Sequence, residues 1–427
     1  MRLFDVNVSY RKVKHLRRSI LTMKIELFEA EKINFEEIDS VEEIDVSNRE
    51  INEKYQKGEV RIVTEQARYP LNTIVPLLKS ENYILNPEFQ RRHRWDKIKK
   101  SRLIESFIMN VPIPPIFLYE VDYSVYEVMD GLQRLTAIYE FYQNNYKLDG
   151  LEEWEELNGS YYKDLPEQIR KGINRRYISS IILLQETARD KDEAQRLKQL
   201  VFERINSGGV NLERQETRNA LYNGKLNQLC IDLSSNKYLC KMWNIPEHNS
   251  DDINNVSQEL LENRLYRKME DVELVLRFFA YRQIDKMKNA TNTNDFLDYF
   301  LIEGNSFDKN IINNYEKIFE DTIKLVYDIL GENAFCLYRE RQGDWKWYNR
   351  PTKAVYDPLM QVMSQYLDFD EVLVEKKETI NIELADFYKE NYDDFGGRNT
   401  NKNHVIKRIE LLSDFFKQYI EEDNNEG

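Results

Sequence analysis

Between residues 125 and 145 the sequence VYEVMDGLQRLTAIYEFYQNN changes its hydrophobic period. The first six residues, with Val125, Tyr126 and Val128 β-branched or aromatic, read as a strand; after Asp130-Gly131 the apolar residues recur at helical spacing, with Leu135, Ile138, Tyr139 and Tyr142 on one face. A strand that stops at a glycine and resumes as a helix leaves the first N–H groups of that helix without backbone partners, and such groups favour an anion. Asp130 as the cap and Gly131 as the turn residue account for this geometry with nothing bound. Arg134 does not fit that account so easily. A cation in the first turn opposes the helix dipole, and a guanidinium suits a phosphate.

The flanking segments build a domain around this switch. PIFLYEVD and VYEVMD read as a hairpin joined through Asp122 to Ser124. Before them, KIKKSRLIESFIMN predicts a helix with Ile98, Leu103, Ile104, Phe107 and Ile108 on one side and Asp96 as its N-cap, stopped by Pro112, Pro114 and Pro115. The stretch NPEFQRRHRWDKIKKSR sets Arg91, Arg92, His93, Arg94, Lys97, Lys99, Lys100 and Arg102 against Asp96, with Trp95 interleaved. Charge runs are ordinarily solvated faces. Here the chain carries 75 carboxylates against 61 Lys and Arg, a net charge of -14, so its surface as a whole repels nucleic acid. A local cationic cluster is then where a phosphate backbone or a nucleotide would dock.

A third segment, KDEAQRLKQLVFERINSGG, predicts a helix closed by Gly208 and Gly209. The helix expected after Asn211 has little apolar face, since Glu213, Arg214, Glu216, Arg218 and Asn219 follow one another closely; such a helix lies exposed or lines a polar cleft, and we favour the cleft. Beyond Gly224 the periodic segments read as helical. The expected organisation is α+β: a charged helical leader and linker over 1–65, a nucleotide- or DNA-binding domain over 66–225, and an all-helical domain over 226–427. The leader reads as a solvated helix and linker, because acidic residues follow its basic ones. It has no unbroken apolar core, which argues against a secretory signal or a membrane span, and Cys230, Cys240 and Cys336 offer neither a disulfide framework nor metal-ligand spacing. These features point to a cytoplasmic protein with no membrane partner. The four histidines are scattered without zinc-site spacing, and neither a Walker A sequence nor a G-x-S-x-G elbow is present.

Taken together, NPEFQRRHRWDKIKKSRLIESFIMNVPIPPIFLYE, VMDGLQRLTAIYEF, FERINSGGVNLERQETRNALYNG and VELVLRFFAY resemble the amino-terminal domain family of GmrSD-type restriction endonucleases, over Ala67 to Ile409. The phosphorothioate-sensing defence proteins are similar too. The resemblance implies a fold akin to ParB and sulfiredoxin, nucleoside triphosphate binding and hydrolysis, and bacterial defence against phage or modified foreign DNA. The family's Asp-Gly-Gln-Gln-Arg motif falls on Asp130, Gly131, Leu132, Gln133 and Arg134, so an apolar residue replaces one amide of the first turn. NKNHVIKRIE lacks the His-x-x-Pro pattern of the HNH nuclease domain carried by many relatives, and no HNH nuclease is expected in this chain.

The function expected is a defence-type triphosphatase, with DNA nicking as a further activity, coupled to DNA sensing or to an effector subunit or a second copy of the chain. The alternative is a non-hydrolysing module that grips DNA or a partner, or a scaffold of a defence complex. Asp130, Gln133 and Arg134 are the candidate catalytic residues, with Asp130 capping the helix, orienting a water or holding a divalent ion such as Mg2+. Gln90, Arg91, Arg94, Gly131, Arg204 and Asn206 are the candidate phosphate contacts. Arg92, Lys97, Lys99 and Lys100 are the candidate DNA contacts.

Overall fold

The computed structural model describes residues 25–35, 52, 62–85, 95–187, 191–206, 213–248, 257–287, 292–396 and 401–421. Gln90, Arg91, Arg92, Arg94, Gly208, Gly209 and Asn211 lie outside the described residues. The chain divides into two units, residues 41–221 and residues 1–40 with 222–427.

The first unit is a mixed sheet with helices. Its strands are β1 (Thr64–Pro70), β2 (Tyr83–Ile84), β3 (Ile116–Asp122), β4 (Val125–Asp130) and β5 (Tyr177–Leu183), in the order β1-β5-β3-β4-β2. β1 pairs antiparallel with β5, β5 parallel with β3, β3 antiparallel with β4, and β4 parallel with β2. The predicted β3–β4 hairpin is present, turning through Tyr123 and Ser124, the latter at φ 59. β2 falls in the stretch after IVPLLK that reads as extended, whereas β1 and β5 are additions to the sequence reading. YISSIIL forms a central strand because Ile178, Ser180 and Ile182 alternate inward, with 1, 1 and 4% exposure.

Helices α1 (Ile74–Lys79), α2 (Lys97–Met109), α3 (Leu132–Tyr142) and α4 (Glu167–Asn174) accompany the sheet. Leu103, Ile104, Phe107, Ile116, Leu118, Val128, Leu135 and Ile138 belong to one core cluster. Asp96 caps α2 as predicted, accepting the Lys99 N–H at 2.7 Å. Ile98, assigned to the apolar side from its spacing, is instead 47% exposed. It sits in the first turn of α2, beyond the reach of the core.

The carboxylate of Glu105, on α2, is turned inward. Its Oε1 accepts the backbone N–H groups of Glu152, Glu153 and Trp154 at 3.0, 2.8 and 3.0 Å, pinning the loop after α3. Glu105→Ala should cost about 2–3 kcal/mol in urea unfolding, the effect of leaving donors without a charged acceptor. A cost within about 0.5 kcal/mol of zero, as for an ordinary surface site, would remove this role. Helices α5 (Lys191–Asn206) and α6 (Arg214–Leu221) complete the unit.

In the second unit, α7 (Lys225–Leu233), α8 (Lys237–Met242), α9 (Gln258–Glu262) and α10 (Arg264–Arg267) lead to α11 (Glu270–Tyr281). Ten of the twelve residues of α11 are buried, so it is the helix around which the others pack. It is followed by α12 (Thr293–Gly304), α13 (Lys309–Leu330), α14 (Lys353–Met363), α15 (Asp370–Glu375), α16 (Lys377–Glu390), α17 (Tyr392–Phe395) and α18 (Lys402–Glu421). Arg277 of α11 donates from Nε to Asp357 of α14 at 2.9 Å, and both side chains are buried.

Two expectations change here. The domain is not all-helical, because β6 (Leu337–Arg341) and β7 (Asp344–Tyr348) form an antiparallel hairpin between α13 and α14. Gln342 and Gly343 both have positive φ, 58 and 90, the signature of a primed hairpin turn. The second change concerns the leader. Of its described residues, 25–35 belong to the helical unit, where Glu31 is fully buried against Arg282 and Phe35 stacks on Phe296 at 5.0 Å, while Thr64 and Glu65 already open β1 of the first unit. The 25–35 stretch is not a solvated linker, because burial of Phe35 and a charge pair holds it in place.

Candidate functional site

The switch from β4 to α3 is where the sequence places it. Asp130 ends the strand, Gly131 takes the N-cap position at φ 93, and α3 begins at Leu132. Only glycine adopts this backbone without strain. Space is equally restrictive: a Cβ on Gly131 would lie 2.4 Å from Ile116 Cγ2 and 2.9 Å from Arg134 Nη2. Asp130 therefore does not cap the helix, contrary to one of its expected roles. Gly131, having no side chain, gives the first turn no side-chain cap of its own.

Instead, Asp130 Oδ2 accepts a hydrogen bond from Arg134 Nη2 at 2.7 Å, one turn along. The same Nη2 donates to the Pro115 carbonyl at 3.2 Å, while Arg134 Nε is buried with no acceptor among the described residues. The anion that Arg134 calls for is, in this state, the chain's own carboxylate. Asp130 is the more open partner, its side chain 37% exposed against 15% for Arg134. Gln133 Oε1 accepts the Trp95 N–H at 3.2 Å, which brings the residue just after the Arg91–Arg94 cluster onto the first turn of α3. Leu132, where the family motif has Gln, is 6% exposed and belongs to the core, so its side chain does not cover the turn.

The described cations of α2 are already engaged. Lys97 pairs with Asp149 at 3.2 Å, Lys100 with Glu140 at 2.6 Å, and Arg102 with Glu152. Lys99 sits over the Trp95 ring at 4.9 Å. Lys100, with a side chain only 14% exposed, ties α2 to α3 and also approaches the Tyr146 ring, so it offers little charge to a DNA backbone. Lys97 and Lys99 remain near the surface.

Arg204 and Asn206 fall in the last turn of α5, and Arg204 is exposed. α5 is fastened to the strand that leads into the site, because Lys198 Nζ bonds Glu127 Oε2 of β4 at 2.6 Å with both side chains nearly buried. Tyr119 packs against this pair, and burial followed by the Glu127 charge pushes its hydroxyl pKa above the ordinary value. From Gln215 onward the polar helix α6 neither lies exposed nor opens to a cleft, although Glu213 and Arg214 at its start are exposed. Gln215, Glu216, Arg218 and Asn219 are 1–2% exposed, with Gln215 bonded to Asn219 at 2.9 Å and to Arg218 at 3.1 Å. The polar side chains satisfy one another inside the domain, a network that helical periodicity cannot reveal.

Sequence reasoning missed the Trp95 N–H, the Pro115 carbonyl and the Ile116 side chain. The first two are backbone groups, which carry no sequence signature. Ile116 opens β3, and only strand pairing brings it beside Gly131. Among the described residues no group of three or more His, Cys, Asp or Glu side chains could hold a metal ion. No described helix is long and apolar enough to cross a membrane.

Residues 74–223 match the family model described as GmrSD restriction endonuclease, N-terminal domain. The match is narrower than the span of Ala67 to Ile409 over which the sequence carries the resemblance. No curated protein and no solved structure matches the chain. The match contains β2 to β5, the Asp130–Arg134 turn, the cationic segment before α2 and the buried polar helix α6. Over residues 74–223, about a third of its length, this chain is therefore similar to the GmrSD restriction endonuclease N-terminal domain.

Proposed function

We propose that this is a restriction-type defence protein whose first unit binds and hydrolyses a nucleoside triphosphate at the β4–α3 turn, coupled to DNA sensing. The observation that carries the reading is Arg134: nearly buried beside a helix start whose N-cap glycine has no side chain, it holds Asp130 through Nη2 and, among the described residues, has Nε without an acceptor. The Asp130–Arg134 pair contributes about 0.3–1 kcal/mol, as partly exposed pairs do. A charge-assisted hydrogen bond to phosphate is worth about 1.5–3 kcal/mol. Phosphate oxygens on the first-turn amides would therefore take Arg134 from Asp130.

That exchange gives the turn its chemistry. Arg134 would neutralise charge on the transferring phosphoryl group, and Asp130, released, would orient the attacking water. Gln133 is held by Trp95, so binding is also felt in the cationic segment before α2. Where a Mg2+ arrives with the phosphates, Asp130 would be the protein carboxylate that holds it, and the ion would add charge neutralisation there. The match to a restriction endonuclease family supports the DNA-sensing part; association with an effector or a second copy is proposed alongside it.

The test is phosphate release with each of the four triphosphates, with and without DNA. Arg134→Ala should lower release at least ten-fold, and Asp130→Asn should lower turnover more than nucleotide affinity. Wild-type protein that binds nucleotide or DNA but releases no phosphate under any condition would leave a non-hydrolysing binding module. The satisfied Asp130–Arg134 pair is the observation that favours that second reading.

A further inference from the structure

The hairpin of β6 and β7 lies outside the segment matched by the family. Its register pairs Leu337 with Tyr348, Arg339 with Lys346 and Arg341 with Asp344 on one face, and Tyr338 with Trp347 and Glu340 with Trp345 on the other. The second face is an anchor. Trp345 meets Tyr392 edge-on at 5.4 Å and Trp347 meets Tyr388 at 6.0 Å, which fixes the ribbon to α16 and α17. Two strands alone are marginally stable, so this aromatic packing explains why the hairpin holds its shape. It does not explain the opposite face.

On that face Arg339, Arg341 and Lys346 stand together, with Asp344 at the turn and Arg350 just beyond the strand. Among the described residues none of these four cations forms an ion pair, whereas Lys97, Lys100 and Arg102 each do. Arg339 stacks on the Tyr348 ring at 3.7 Å and Arg341 lies 5.7 Å from it. Stacking holds a guanidinium by its face and leaves its N–H edge for phosphate oxygens. A protein of net charge -14 has little reason to gather unpaired cations unless an anion covers them. A two-stranded ribbon of five-residue strands, about 17 Å long, is also of a size that a duplex major groove about 12 Å wide admits.

We propose that the Arg339–Arg341–Lys346 face of this hairpin docks on the phosphate backbone of duplex DNA. The inference rests on the DNA-sensing side of the function proposed above and adds a binding surface in the second unit. The attraction is electrostatic and insensitive to base sequence, so its signature is salt dependence.

The experiment measures anisotropy of a labelled 25-base-pair duplex with the full chain across a salt series, comparing wild type with R339A/R341A/K346A. The variant should bind at least ten-fold more weakly. Its slope of log affinity against log salt should fall by about 2–3, near 0.9 for each phosphate that is no longer neutralised. R339K/R341K, with Lys346 left in place, should keep most of the slope, which separates lost charge from lost fold. Wild-type DNA binding with unchanged affinity and slope in the alanine variant overturns the inference and leaves the proposed function standing. Equal competition by polyglutamate at matched charge also overturns it, assigning the face to an acidic protein. Basal phosphate release without DNA should be the same in wild type and hairpin variants, so a failure of hydrolysis is read separately. No DNA binding by wild type at any salt overturns both the inference and the DNA-sensing part of the proposed function.

Discussion

Glu31→Ala should lower the unfolding free energy of the helical unit by about 3–5 kcal/mol, the usual effect of removing one partner from a buried ion pair. Glu31 is fully buried, and Arg282 reaches it from Nε at 2.7 Å and Nη2 at 3.0 Å. Tyr315 donates its hydroxyl to the same carboxylate at 3.0 Å, and the Phe28 N–H does so at 2.7 Å. Burial and the Glu31 charge together push the Tyr315 hydroxyl well above its ordinary pKa, so it stays protonated as the donor. With alanine at 31, Arg282 would remain buried without its counter-ion. The combined change Glu31→Gln, Arg282→Met removes both charges and should recover part of the loss. Chemical denaturation followed by tryptophan fluorescence reads the difference. A single-variant cost below about 1 kcal/mol would show that residues 25–35 are not part of the folded core of this unit.

Gly131→Ala should cost about 2–5 kcal/mol, the sum of a left-handed backbone and an overpacked core. The added Cβ would meet Ile116 Cγ2 and displace the Arg134 guanidinium. Phosphate release should therefore fall to the level of Arg134→Ala even at temperatures where the variant is folded. Truncating Ile116 as well should relieve the clash, so the double variant Gly131→Ala, Ile116→Ala should lose less than the two single losses added together. Strict additivity, or full activity in Gly131→Ala, would mean that the turn does not position Arg134.

The two predictions sit at opposite ends of what the residue string discloses. The Gly131 turn is legible: a period-2 run, Asp-Gly and a period-3.6 run follow one another within about twenty residues, and local chemistry decides where the chain turns. The Asp96 cap is legible for the same reason, since its partner is three residues away. Glu31 is not. Its partners Arg282 and Tyr315 are 251 and 284 positions along the chain, so an acidic residue in a charged leader reads as solvated. The polar helix α6 misleads in the same way. Gln215, Arg218 and Asn219 would be a surface by composition, yet they are buried because they satisfy one another.

β5 and the β6–β7 hairpin lie between these extremes. YISSIIL is rich in β-branched residues, with Ile178, Ile181 and Ile182, and QG between LYRER and DWKWY marks a turn, so the local signals exist. In a segment where helical periodicity dominates on both sides, a five-residue strand is easily absorbed into the prevailing pattern. What the hairpin could never show from sequence is which of its faces is anchored.

From the sequence come the strand-to-helix switch at Gly131, the placing of Arg134 in its first turn, the caps, and the mixed α+β character. Each depends on residues within one or two helical turns of one another. Tertiary structure alone decided that Asp130 binds Arg134 instead of capping the helix, that Trp95 docks on Gln133, that Lys100 is spent on Glu140, and that Glu31 is interior. The reason is physical. A charged side chain takes the partner that the fold brings within about 3 Å, and when that partner is distant in sequence or is a backbone group, nothing in the local residue pattern records it.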